Sequence, residues 1–306
     1  MKIKAKLGLL LSMTFVLLSG CSFPGLASTS TEDTVAITGG ITSEAQILGA
    51  IVAGMVEHYT DKKTTVINNL ATTTINHQAM MNGDASISAA RYTGTDLTTT
   101  LGLKPQSDPA AAFKTVKDEF EKRFQQTWFP SYGFDNTYVF LVRKDTAEKY
   151  NLKKVSDLKG VADQLVAGVD TAWITREGDG YDGFQKAYGF SFKNILPMQI
   201  GLVYDAVDNG KMDIVLGYST DGRIASYDLV MLEDDLNFFP PYDAAPVVDD
   251  KLIKDTPEVA DALNKLAGTI STEKMQQLNY QVDNDLLEPT VVAERFLKDN
   301  HYFEGE

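Results

Sequence analysis

Cysteine is nearly absent from this chain: Cys21 stands alone among 306 residues. No intrachain disulfide can form, and a cysteine-based zinc or iron–sulfur site is excluded. Histidine is almost as scarce. His58, His77 and His301 lie far apart, and none has a partner at the i,i+4 spacing of a helical metal site. Positive charge is short as well, with 28 Lys+Arg against 42 Asp+Glu and a net charge of −14. A nucleic-acid binder needs a basic face, so no nucleic-acid partner is expected. Catalytic signatures are missing: there is no G-x-S-x-G, no H-E-x-x-H, no P-loop and no G-x-G-x-x-G after a strand. Neither a cofactor nor a metal is implied. In Glu177-Gly178-Asp179-Gly180-Tyr181-Asp182-Gly183 the acids miss the alternating spacing of a calcium loop, and the segment reads as a turn.

What is there suits a packed protein. A 43% hydrophobic fraction over this length supports a sizeable core and favours two lobes. Charged residues at 23% and aromatics at 10% rule out a disordered, collagen-like or coiled-coil chain.

The N-terminus has its own order. Lys2, Lys4 and Lys6 precede a mostly apolar run from Leu7 to Leu18. That run is shorter than the roughly 20 residues a membrane span needs. Leu18-Ser19-Gly20-Cys21 follows, with small residues before the lone cysteine. The arrangement resembles a bacterial lipoprotein signal peptide with its lipobox. It implies removal of 1–20, lipid on Cys21, and a Ser/Thr/Gly/Pro-rich tether over 21–33. No later run is long and apolar enough to span a bilayer, so the folded body is expected at the outer face of a membrane.

Strands and helices then alternate. Val35-Ala36-Ile37 reads as a strand, and Gly39-Gly40 turns out of it. Ser43 to Gln46 has the form of a capping box, and Ile47, Ile51, Val52 and Met55 recur at helical spacing. Strands are expected over 64–70, 85–90, 138–142, 165–169, 213–216 and 228–232. Helices are expected over 75–81, from Asp108-Pro109 to about residue 126, at 155–158, 181–188 and 200–207, and from Thr256-Pro257 to near Gly268. Ser271 and Thr290 read as N-caps of the last two helices. This alternation predicts an α/β fold with largely parallel sheets. With no clear linker, the chain should cross between its two lobes more than once.

Tyrosine is the unusual residue, with 13 copies. Tyr92, Tyr138, Tyr218 and Tyr242 each fall beside polar residues at an expected strand end or a Pro-Pro turn. Ligands of open α/β sheets bind at strand ends, so loop tyrosines can converge on one cleft. Taken singly, each reads equally as a core-capping ring with a wet hydroxyl.

Longer segments carry a resemblance. They are Asn76-His77-Gln78-Ala79-Met80, Arg91-Tyr92-Thr93-Gly94-Thr95-Asp96-Leu97 and Ser131-Tyr132-Gly133-Phe134-Asp135-Asn136-Thr137-Tyr138. Further on come residues 198–207, Tyr218-Ser219-Thr220-Asp221-Gly222-Arg223-Ile224 and Phe238-Phe239-Pro240-Pro241-Tyr242. Together they resemble the glycine betaine/carnitine/choline-binding lipoproteins of Gram-positive osmoprotectant ABC transporters, from lipobox to C-terminus. The resemblance implies a type II periplasmic-binding-protein fold, with a ligand cleft between two α/β lobes. Lobe I would be 34–136 plus 231–306 and lobe II 137–230, with crossings near Asn136-Thr137 and between Met231 and Leu236.

It also implies a site. Tyr92 and Tyr242 from lobe I, with Tyr138 and Tyr218 from lobe II, would enclose a quaternary ammonium group. The Asn136 carbonyl would face the same cation, Thr95 would face the rest of the ligand, and Thr72 and Arg176 could meet a carboxylate. Gly39-Gly40 stands where some relatives carry a polar side chain, so one carboxylate contact is absent there. A trimethylammonium group has no N–H to donate, so aromatic faces suit it better than hydrogen-bond acceptors. Each such contact contributes roughly 0.5–2 kcal/mol, against about 8 kcal/mol for micromolar affinity.

The implied role is a lipid-anchored, monomeric receptor at the outer face of the cytoplasmic membrane. It would hand quaternary ammonium compounds to ABC permease and ATPase subunits. A neutral Thr95 tolerates both choline and carboxylate-bearing ligands, which predicts broad binding. The alternatives are a choline-selective receptor, a surface hydrolase of choline esters, or an adhesion lipoprotein.

Overall fold

The structure is a computed structural model that describes residues 33–304, apart from Glu177 and the side chain of Ala172. The signal segment, Cys21 and all of the tether but Asp33 lie outside the described residues. Among the described residues no helix is long and apolar enough to cross a membrane.

Ten strands form two five-stranded sheets. In chain order they are β1 Thr34–Thr38, β2 Lys63–Ile67, β3 Ile87–Tyr92, β4 Gln126–Trp128, β5 Tyr138–Arg143, β6 Val166–Asp170, β7 Asn194–Met198, β8 Ile214–Tyr218, β9 Leu229–Leu232 and β10 Ala244–Asp249. The first sheet has the order β2-β1-β3-β10-β4 and the second β7-β6-β8-β5-β9. Each sheet belongs to its own α/β lobe. β9 carries the second sheet to Leu232, and Phe238 and Phe239 pack on the same core, so the second lobe extends past the expected end at 230 and the return crossing follows Phe239 rather than falling between Met231 and Leu236.

The sheets are mixed, which corrects the expectation of largely parallel ones. β1 runs parallel to β2 and β3, and β6 parallel to β7 and β8. β10 is antiparallel to β3 and β4, and β5 is antiparallel to β8 and β9. Both reversed strands open immediately after the chain has changed lobes. A strand entering from the other lobe arrives at the cleft edge, where β3 and β8 end, and so runs opposite to them.

Local chemistry explains the elements. The Ser43–Tyr59 helix buries Ile47, Leu48, Ile51, Val52 and Met55 against the first sheet. Its N-cap is Thr42, whose hydroxyl accepts the Ala45 N–H at 3.2 Å. This corrects the expected Ser43–Gln46 box: Ser43 instead donates to Asp283, and Gln46 donates back to the Gly40 carbonyl. Asp108 caps the Pro109–Phe124 helix as expected, accepting from Ala111 N–H at 2.7 Å. The last helix, Pro289–Asp299, is preceded by Glu288, so Thr290 lies within its first turn and is not its cap. β4, β7 and β10 were not anticipated. β4 has only three residues, and β10 begins at Ala244, directly after the Pro-Pro-Tyr turn.

Side-chain alternation gives each sheet two apolar faces. Phe140 and Val142 of β5 pack on one side of the second sheet, and Leu141 on the other with Val203, Tyr204 and Val207. Ala244 and Val248 of β10 join the core of the Ser43–Tyr59 helix, while Ala245 and Val247 face Val116 and Phe120. Helices therefore cover both faces, and the sheet edges at the strand ends remain for the site.

Candidate functional site

A cavity of about 540 Å³ lies where the ends of β3 and β8 meet the start of β5. Its volume falls within the usual range for small-molecule sites. All eight residues singled out as ligand contacts line it: Thr72, Tyr92, Thr95, Asn136, Tyr138, Arg176, Tyr218 and Tyr242.

Strand register brings the tyrosines together. Tyr138 opens β5 and Tyr218 closes β8, and the antiparallel ladder sets them opposite each other. Their ring centroids are 5.2 Å apart. The Tyr138 hydroxyl donates to Asp170 at 3.1 Å, and the Tyr218 N–H donates to the Tyr204 hydroxyl at 2.8 Å. Tyr92 ends β3, and Tyr242 precedes β10, whose Ala244 is the register partner of Tyr92. Burial pushes all four phenols above the usual tyrosine range, Tyr242 to about 12. The rings are therefore neutral, and each presents a π face rather than a phenolate.

The two crossings between lobes are stitched to each other. Asp135 accepts the Tyr242 N–H at 2.7 Å, and Asn136 N–H donates to the Tyr242 carbonyl at 3.3 Å. Ser219 N–H donates to Thr137 O at 3.0 Å, while the Ser219 hydroxyl donates to Asp135 O at 2.7 Å. Three of the cavity tyrosines are thus tied to the segment that links the lobes. Burial first, then the neighbouring charges of Asp243 and Glu44, raise the Asp135 carboxyl to about 7 against the lowering effect of the Tyr242 N–H.

Arg176 reaches the tyrosines directly. Asp179 grips its guanidinium at 3.0 and 2.8 Å, and Arg176 donates to the Tyr242 hydroxyl at 2.9 Å. The guanidinium carbon lies 5.8 Å from the Tyr138 ring centroid. A cation already sits beside these rings, as their quadrupoles favour. Asp179, read from the sequence as part of a plain turn, is the anchor of that arginine. Thr72 caps the Thr73–Asn82 helix by accepting the Ile75 N–H at 3.2 Å, so its hydroxyl is positioned by that helix end. Gly40 also lines the cavity and brings no side chain.

Beneath the site, the segment Arg91 to Asp96 folds back on itself. Arg91 and Asp96 form an ion pair with both side chains fully buried, and a second contact from Nε to Oδ2 spans 2.8 Å. Tyr92 and Thr95 project into the cavity lining from a loop clamped by that pair.

Two residues went unremarked in the sequence. Glu44 is 3% exposed and lines the cavity, yet in sequence it reads as an ordinary acid in the first turn of a helix. Asn279 lines it from the Thr272–Asp283 helix and donates to the Thr220 carbonyl at 2.8 Å, joining that helix to the loop after β8. No histidine is on the cavity wall. His58 packs against Tyr59 and Phe303, His77 against Phe120 and Phe124, and His301 pairs with Glu304. Among the described residues no group of three or more His, Cys, Asp or Glu is placed to hold a metal ion.

Residues 33–299 match the OpuAC family, the substrate-binding domain of ABC-type glycine betaine transport systems. The chain belongs to this family. It is 53% identical over 305 residues to the carnitine transport binding protein OpuCC of Listeria monocytogenes, covering 100% of this chain and 99% of that protein. It is 31% identical over 294 residues to a glycine-betaine-binding protein of Pseudomonas aeruginosa, covering 92% of each. A crystal structure of a glycine betaine/carnitine/choline ABC transporter component superposes with a TM-score of 0.86 at 52% identity, covering 88% of this chain and 100% of the other. The cavity described above lies between the two lobes of the chain. The two-lobed α/β architecture is that of periplasmic binding proteins.

Proposed function

We propose that this protein captures quaternary ammonium osmoprotectants, among them glycine betaine, carnitine and choline, and delivers them to an ABC importer. The observation that carries this reading is the meeting of Tyr92, Tyr138, Tyr218 and Tyr242, from two separate sheets, on one cavity. The four rings form a cage around a methylated cation that has no N–H to donate. The Asn136 carbonyl faces the cation, and Thr72, Thr95 and Arg176 face the remainder of the ligand. The 53% identity to a carnitine-binding protein supports this ligand class.

Lobe I comprises 34–136 and the chain from 240 onward; lobe II runs from 137 to 239, with Phe238 and Phe239 packed on its core. A ligand held by rings of both lobes gains contacts only when they close on it, and that differential affinity drives closure. The closed form is the one presented to the permease and its ATPase. The receptor acts as a monomer at the outer face of the cytoplasmic membrane, held by lipid on Cys21. Binding without turnover is the role that membership in a family of transport substrate-binding domains supports.

Titration calorimetry with glycine betaine, carnitine and choline tests the reading. Saturable 1:1 binding to the wild type, abolished in the Tyr138→Ala/Tyr218→Ala double variant, is the expected result. Absence of binding by any of the three, or binding unaffected by the double substitution, would remove the proposal. Radiolabelled palmitate on the full-length chain and its loss in Cys21→Ala checks the anchor.

A further inference from the structure

Resting on the reading above, we propose that Glu44 is the specificity-determining counter-charge of the cavity and the positioning residue for two of its cation contacts. Its carboxylate is held by neutral donors alone. The Tyr92 hydroxyl donates to Oε1 at 2.6 Å, Asn136 Nδ2 donates to the same oxygen at 2.9 Å, and Asn279 Nδ2 donates to Oε2 at 3.4 Å. Glu44 also stands in the first turn of the Ser43–Tyr59 helix, where the exposed backbone dipoles favour an anion. These four features let a carboxylate remain in a buried place without a cation beside it.

The other ionic groups on the wall are differently placed. Arg176 is neutralised by Asp179 at 2.8 Å, and Arg223 by Asp221 at 2.7 Å. Asp283 takes the Ser43 hydroxyl and stands beside it at the outer end of the Thr272–Asp283 helix, where it is exposed. Glu44 is therefore the buried charge on this wall that no basic side chain balances among the described residues. In a partly desolvated cavity such a charge acts over several ångströms, because little water screens it. It attracts any ligand with a net positive charge. It gives less to a zwitterion, whose own carboxylate it repels.

The same three hydrogen bonds give Glu44 a second effect. Through Tyr92 it orients a ring of lobe I, and a hydroxyl donating to a carboxylate makes that ring more electron-rich. Through Asn136 it holds the crossing segment whose carbonyl faces the cation. Through Asn279, which also donates to Thr220 O, it touches the contact between the Thr272–Asp283 helix and the second lobe.

Charge and positioning separate by substitution. Glu44→Gln keeps the length and an acceptor oxygen but removes the charge. Glu44→Asp keeps the charge and shortens the reach. The probes are glycine betaine and its methyl ester, which share the trimethylammonium group and differ in the charge of the carboxyl end. With Glu44→Gln the ester is expected to lose about tenfold more affinity than betaine. With Glu44→Asp both are expected to weaken by a similar factor, leaving their ratio near that of the wild type. Equal weakening of both ligands by Glu44→Gln, or failure of the wild type to bind the ester while binding betaine, overturns the proposal. Failure of the wild type to bind either probe overturns the quaternary ammonium reading itself. Asn279→Ala serves as the comparison for a purely structural loss: it should lower affinity for both probes without altering their ratio.

Discussion

Tyr138 and Tyr218 are cross-strand partners, opposite each other on β5 and β8 with ring centroids 5.2 Å apart. One is the first residue of its strand and the other the last of its own. Antiparallel pairing turns those two termini into a single edge. Two aromatic faces separated by 80 residues of sequence thus become neighbours at the cavity wall.

This pair sets the first prediction. Tyr138→Ala and Tyr218→Ala should each weaken binding of a trimethylammonium ligand by about 0.5–2 kcal/mol. Tyr138→Phe, which keeps the π face and loses the hydroxyl with its bonds to Asp170 and Tyr218, should bind within a few-fold of the wild type. Calorimetric titration distinguishes these. If Tyr138→Phe were as damaging as Tyr138→Ala, the hydroxyl rather than the ring face would be the important group.

Thr95 offers a specificity test. It lines the cavity on the loop clamped by Arg91 and Asp96. Thr95→Asp should weaken betaine and carnitine relative to choline by about tenfold or more, through repulsion of the ligand carboxylate. Competition binding measures the ratio. A variant that retains all three ligands in their original order would show that the Thr95 side chain does not face the carboxylate.

Asp135 predicts a pH dependence. Its folded-state carboxyl is raised from 3.8 to about 7, chiefly by burial. The folded protein therefore holds this proton more tightly than the unfolded chain. The contribution is fully present below about pH 4 and is lost as pH rises through about 7, at up to roughly 1.4 kcal/mol per pH unit. Asp135→Asn keeps an acceptor for the Tyr242 N–H and removes the titration. Denaturation from pH 4 to 8 should show the wild type losing stability relative to this variant across that window, with a constant difference above it. Parallel curves for the two proteins would disprove the assignment.

The Arg91–Asp96 pair is fully buried, so its rupture should be costly. Asp96→Ala leaves the guanidinium without its carboxylate and is expected to lose about 3–5 kcal/mol in chemical denaturation. Ligand affinity should fall with it, because Tyr92 and Thr95 sit within the loop that the pair closes. A loss below 1 kcal/mol would mean that water reaches the arginine.

Gly94 permits the approach of Tyr242. A Cβ there would lie 2.6 Å from the Pro241 carbonyl and 3.0 Å from the Tyr242 ring. Gly94→Ala should therefore cost about 1–3 kcal/mol by overpacking and reduce affinity by displacing that ring. Thermal melting and calorimetric titration read these two effects, and unchanged values in both would show that the segment yields freely.

Much of the architecture was legible because its signals are local. Ile47, Ile51, Val52 and Met55 mark a helix by spacing alone, and all four are fully buried on one face. Asp108-Pro109 and Ser271 announce helix starts by side-chain chemistry that operates within three residues. Strand direction was not legible in this way. β5 and β10 reverse because the chain re-enters each lobe at the cleft, and no property of Tyr138 to Arg143 or Ala244 to Asp249 records that route.

For the site, position at strand ends singled out the four tyrosines, and the family resemblance nominated Asn136, Thr95, Thr72 and Arg176 beside them. The sequence by itself determined seven of the ten strands and the longer helices, where the aromatic rings stand along them, and which family they resemble, since these depend on short-range spacing and motif. Only the tertiary structure decided that the rings share one cavity, that Asp179 holds Arg176, and that Glu44 stands buried behind Tyr92 and Asn136. The physical reason is that hydrogen bonding and desolvation act through space. Glu44 and Asn136 are 92 positions apart in the chain, yet their side-chain atoms are 2.9 Å from each other.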